Sequence, residues 1–171
     1  MDEIFSLPPL GAFDNNYQML LEFMETLGNP KFKIAGDVNL KNSDIESLGN
    51  LVEVEGYLDL YGTNIASLPD NLHVGGDLFL TNINIESLPD NLHVGRALHL
   101  SSINIESLPD NLHVGGSLYL YGTKIESLPD NLHVGGDLFL YNTPLSKMYS
   151  IYQIRKMIED KGGFVKGIIY I

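Results

Sequence analysis

The nonapeptide Ser-Leu-Pro-Asp-Asn-Leu-His-Val-Gly occupies residues 67–75 and returns unchanged at 87–95, 107–115 and 127–135. Each copy begins 20 residues after the one before. A unit this short cannot bury its own apolar side, so a strict repeat of it implies units stacked on one another. The apolar residues keep the period beyond the perfect copies. One column reads Val38, Leu58, Leu78, Leu98, Leu118, Leu138, and a second reads Leu40, Leu60, Leu80, Leu100, Leu120, Leu140. A third reads Ile45, Ile65, Ile85, Ile105, Ile125, Leu145, and a fourth runs from Leu48 to Leu128 in steps of 20 with Met148 closing it. These columns predict about six coils over residues 34–148, the first two less regular than the rest.

Within each coil the Leu-x-Leu piece alternates with period two, which predicts a short strand with one buried face. Pro-Asp-Asn and Gly-Gly supply turn chemistry between such pieces. The expectation is one short strand per turn, with successive coils ~4.8 Å apart.

The pattern L-x-L-x-x-x-x-I-x-S-L-P resembles the leucine-rich repeat in its short bacterial form, over about two thirds of the chain. Arrays similar to it occur in bacterial and phage proteins. The resemblance implies an α/β solenoid, a leucine-rich-repeat-like parallel β-solenoid with N- and C-terminal helical caps, whose sheet face is the usual binding face. Members of the family usually carry Asn three residues after the second strand Leu. Here that column reads Thr63, Ile83, Ile103, Thr123, Thr143. The family's effector ligases also carry a Cys-dependent catalytic domain. This chain has no Cys, so that activity is not implied.

The ends break the period. Residues 14–28 place Met19, Leu20, Phe23, Met24 and Leu27 at helical spacing, behind an N-cap at Asp14, Asn15 or Asn16 and before Gly28. After Pro144, Ser150 begins a second helix that runs to about Lys161, and residues 164–171 read as a final strand. The expected organisation is a helical cap over 1–33, a solenoid over 34–148 and a helix-strand cap over 149–171.

Residues 42–123 hold eleven acids and one base, Arg96, whereas residues 144–171 hold five bases and two acids. The net charge is −12. Such a body repels phosphate backbones and suits a basic protein partner, so no nucleic acid is expected. The acidic start of the chain is unlike a signal peptide, and no apolar run approaches the ~20 residues of a membrane helix. A cytoplasmic protein without membrane contact is expected.

Columns that vary between coils are the candidates for recognition. Beside and between the two strand leucines, spacing places Tyr57, Asp59, Tyr61, Phe79, His99, Tyr119, Tyr121, Phe139 and Tyr141 on the outer face. Aromatic side chains of this kind are enriched in interfaces, and they also stack along sheets for stability. Arg96 stands where the other coils have the second glycine of the pair, as at Gly76, Gly116 and Gly136. It could anchor an acidic ligand group, although drift is the favoured explanation. The columns His73, His93, His113, His133 and Asp70, Asp90, Asp110, Asp130 could hold metal ions, but copying a coil repeats its residues whether they act or not. No metal, cofactor or catalytic residue is assigned, since no nucleophile elbow, phosphate loop or zinc motif occurs. The expected function is a non-catalytic module that binds a protein through the aromatic, acidic face. The alternatives are a sequestering protein for a nucleotide-like small molecule, acting as a phage antagonist of host signalling, and a self-associating protein that forms a homodimer.

Overall fold

A computed structural model describes residues 3–171. The chain winds into a parallel β-solenoid of about five regular turns, each of 20 residues, with a few helices near the ends. Each turn contributes two short strands, not the single one expected. His-Val pairs such as His73–Val74 build an eight-stranded sheet, and Leu-x pairs such as Leu78–Phe79 build a seven-stranded one. The first is called here the His sheet and the second the aromatic sheet. All pairings are parallel and join each residue to its equivalent in the next coil, as in Leu78 to Leu98.

The second strand escapes a reading of the sequence because it is two residues long and lies between turn signals. Glycine explains how the chain bends from one sheet to the other. A Cβ built on Gly75, Gly95, Gly115 or Gly135 would collide with the carbonyl oxygen of the coil below. The coils therefore approach at this bend to a distance that only glycine permits.

The four leucine and isoleucine columns line the core, together with Leu72, Leu92, Leu112 and Leu132 and the valines of the His sheet. Met148 does not close the fourth column. It ends helix α2 (Pro144–Met148) and is 54% exposed, because Pro144 starts a helix that takes the chain off the repeat. Where the resembling family carries Asn, Thr63, Thr123 and Thr143 turn their hydroxyls back to the carbonyl three residues earlier, at 2.8–2.9 Å. Ile83 and Ile103 are simply buried there. The turn stays regular because the residue before it is left-handed in these coils, as at Gly62, Asn82, Ser102, Gly122 and Asn142.

The ends are coils whose loops have been replaced by helices. Helix α1 (Tyr17–Thr26) lies between strands Phe5–Leu7 and Phe32–Ile34 and is capped by Asn16, whose side chain accepts from the Met19 amide. Tyr17, Leu20 and Met24 turn inward, and the Tyr17 hydroxyl donates to the Leu48 carbonyl at 2.9 Å. Burial raises the Tyr17 pKa far above its ordinary value. Helix α3 (Ile151–Asp160) starts with a capping box between Ser150 and Gln153.

Residues 164–171 do not form one strand. They make one more pair, Phe164–Val165 on the His sheet and Ile169–Tyr170 on the aromatic sheet. Arg155 of α3 reaches over the outer edge of this coil. Its guanidinium donates to the carbonyls of Val165 and Gly167 at 2.8 and 2.9 Å. In the coil below, the equivalent carbonyls of Val134 and Gly136 accept from the amides of Lys166 and Gly167. The planar fork of an arginine matches two such acceptors at once.

Candidate binding face

The aromatic sheet carries the residues singled out from the sequence. Parallel in-register pairing sets equivalent side chains one above another, so Phe79, His99, Tyr119 and Phe139 form a column. Their ring centroids are 4.5, 4.5 and 4.6 Å apart, with interplanar angles of 14° or less. Tyr170 extends the stack at 4.7 Å from Phe139. Tyr57 closes the other end edge-on to Phe79, at 6.5 Å. The rings thus satisfy one another's faces and turn their edges to solvent.

The stacking changes what is accessible. Eight exposed aromatics are not present on this face. Of these eight, Tyr121 and Tyr141 are exposed, at 50% and 42%, while Tyr57, Tyr61, Phe79, His99, Tyr119 and Phe139 are half-buried against their neighbours. Tyr61 sits under the Lys41 ammonium, 4.8 Å from its ring centre.

The acids on this side are partly occupied by the frame. Asp59 accepts from the amide of Tyr61 two residues on. Asp37, Asp77 and Asp137 accept from backbone amides of the coil above, at 3.0, 2.9 and 2.7 Å. The orientation of these carboxylates is set by the coil above. Arg96 lies at the bend between the sheets, apart from the ring column. Its Nε is 4.0 Å from Asp77 Oδ1 and its side chain is 75% exposed. The cost of a side chain at this site shows in the spacing. The Arg96 amide reaches the Gly76 carbonyl at 3.2 Å, whereas glycine amides at the equivalent bends reach 2.8 Å.

Burial lowers the His99 pKa from the usual 6.5, with Asp77 acting in the opposite direction. On the other sheet the imidazoles of His73, His93, His113 and His133 form a second ladder with centroids 4.5, 4.6 and 5.8 Å apart. Phe164 ends it, stacked on His133 at 4.6 Å. The His93 pKa is lowered, first by burial and then by repulsion from His73 and His113. The His93 and His113 rings are parallel to within 8°, a stacking that aims their nitrogens alongside each other and not at a common ion. Among the described residues, no three or more His, Asp and Glu side chains converge as a metal site.

Tyr170 is the member of the face that the columns did not reveal. The helices after Pro144 shift the period from 20 to 31 residues, so its column appears to stop at Phe139. The signal is present all the same. Val165, Gly167 and Ile169 repeat the spacing of Val134, Gly136 and Leu138. Among the described residues, no helix is long and apolar enough to cross a membrane. No family model matches the chain, and neither a curated protein nor a solved structure matches it. The fold itself defines the class, a repeat protein of the parallel β-solenoid kind.

Proposed function

We propose that the protein is a non-catalytic interaction module of the leucine-rich-repeat kind, which engages a protein partner through its aromatic sheet. The observation that carries this reading is the pairing of a rigid ring column with exposed Tyr121 and Tyr141 along one side of it. Rings locked by stacking lose little entropy on binding, and tyrosines beside them offer apolar area with a hydrogen-bonding tip. The net charge of −12 steers a basic partner toward the body.

The packing favours a protein over a flat small molecule. A nucleotide base needs a free ring face, and the faces between neighbours in the column are already in contact at 4.5–4.7 Å, which leaves the outer face of Tyr170 alone. Sequestration of a nucleotide-like ligand therefore has less support than edge-on contact with a protein surface, whether or not the protein serves a phage against its host. The test is affinity capture from the native lysate with the wild-type chain and with Tyr121→Ala/Tyr141→Ala. One captured protein, lost with the variant while circular dichroism stays unchanged, supports the reading. Capture that survives the variant refutes it.

A further inference from the structure

The two ends of the solenoid differ in charge and share an unusual feature, an apolar surface facing outward. A terminal unit of a soluble repeat protein normally presents a polar outer side. Helix α1 does not. Leu21, on one flank of α1, lies against Gly49 in the next coil. Another flank carries Met19 and Phe23 at i and i+4, with Leu27 just past the helix, all exposed. Phe23 is 44% exposed and touches only Phe13 among the aromatic rings, at 5.9 Å. Glu22 and Glu25 lie on the same helix, and residues 3–33 contain four acids against two bases, Lys31 and Lys33.

The other end mirrors this with the opposite sign. On α3, Ile154 and Ile158 face the core, and Arg155 reaches over the last coil. Ile151 and Tyr152 beside it are exposed, as is Ile168 at 57%. Residues 144–171 carry five bases and two acids. Strand Ile169–Tyr170 is the outermost of the aromatic sheet here, and Val38–Asn39 is the outermost at the acidic end. One face of the Tyr170 ring rests on Phe139, and among the described residues no ring is stacked on its other face.

From this complementarity we infer that the protein associates with second copies of itself head to tail, the basic C-terminal end of one chain seated on the acidic, apolar flank of α1 of the next. A tail-to-tail dimer would set five bases against five. A head-to-head dimer would set four acids against four. Only the head-to-tail contact joins unlike charges, and a contact between two different surfaces repeats along a row unless its rotation closes a ring.

The test is sedimentation of the full chain over a range of concentration, at low and high salt. The weight-average mass is expected to rise with concentration, and association to weaken about tenfold or more as salt screens the ends. Glu22→Lys/Glu25→Lys, and separately Lys156→Glu/Lys166→Glu, are each expected to abolish self-association. Mixing these two variants is expected to restore one junction, because the unaltered basic end of the first meets the unaltered acidic end of the second. All four positions are exposed, so the fold tolerates the changes. Phe23→Ser is expected to weaken association without altering charge. Monomer mass at every concentration would overturn the inference. So would association that ignores the end variants, or that is lost only with Tyr121→Ala/Tyr141→Ala.

Discussion

Arg155 offers the sharpest test of how the solenoid ends. Replacing it with alanine removes two charge-assisted hydrogen bonds, to Val165 and Gly167. Each such bond contributes roughly 1.5–3 kcal/mol. The released carbonyls lie at the end of the solenoid, where water can reach them, so the net cost falls near ~2 kcal/mol. In a stacked fold this cost is local, since each coil contacts only its neighbours. It should appear as easier opening of the last coil while the middle keeps its stability. The reporters are the amides of Phe164, Lys166 and Gly167, which donate to Leu132, Val134 and Gly136. Hydrogen exchange at these three should speed up about thirty-fold, the equivalent of ~2 kcal/mol, while the amides of Leu98 and Leu100 hold their rates. Arg155→Lys keeps the charge but cannot span two acceptors, so it should recover less than half of the protection. Unchanged exchange at the three amides would refute the argument, as would full rescue by lysine.

Four further outcomes follow from the packing. Ser102 is left-handed at φ 61 where other coils have Gly62 and Gly122, so Ser102→Gly should raise stability by about 1 kcal/mol in urea melts. Gly115→Ala forces a Cβ against the Gly95 carbonyl and should cost at least ~1–3 kcal/mol, with a matching fall in midpoint. Leu118 is fully buried between Leu98 and Leu138, and Leu118→Ala should cost ~2–5 kcal/mol in the same assay. The folded-state pKa values of His93 and His99 are lowered, so the unfolded chain binds more protons than the folded one as the medium turns acid. Their contribution is complete above the usual 6.5 and is lost as pH falls below it toward the lowered values. Thermal melts should move down across that interval in the wild type, and move less in His93→Gln/His99→Gln.

Much of this was legible before any coordinates. The Leu78 and Leu80 columns give the core because a period of 20 implies stacking, and Ser150 gives the start of α3 because an N-cap is a local signature. The ring column from Phe79 to Phe139 follows from the same register. Features that depend on distances between coils were not legible. His73–Val74 is too short to show alternation, and its pairing arises only when coils meet. The Arg155 fork depends on where α3 comes to rest, and no spacing encodes that. The exposure of the aromatic face was misjudged for a related reason. Spacing shows which side a ring is on, but not that its neighbour covers it.

The four identical nonapeptides have a consequence for how the chain finds its fold. His73–Val74 meets in His93–Val94 the same two residues that it would meet in His113–Val114, so the His sheet cannot distinguish the correct neighbour from the next one along. A chain that skips a coil loops out 20 residues and loses one strand of that sheet, yet the strands on either side of the gap still meet identical partners. The wrong alignment is penalised elsewhere, where coils differ. Skipping the coil of Leu98 would seat Phe79 directly on Tyr119, drop His99 from the ring column and leave Leu98, Leu100, Ile103 and Ile105 without the core that buries them. Beyond that lost burial, the contacts that discriminate are the unlike rings and the unique ends at α1 and α3. The variable words of the repeat thus serve as page numbers, fixing the order of coils that are otherwise interchangeable.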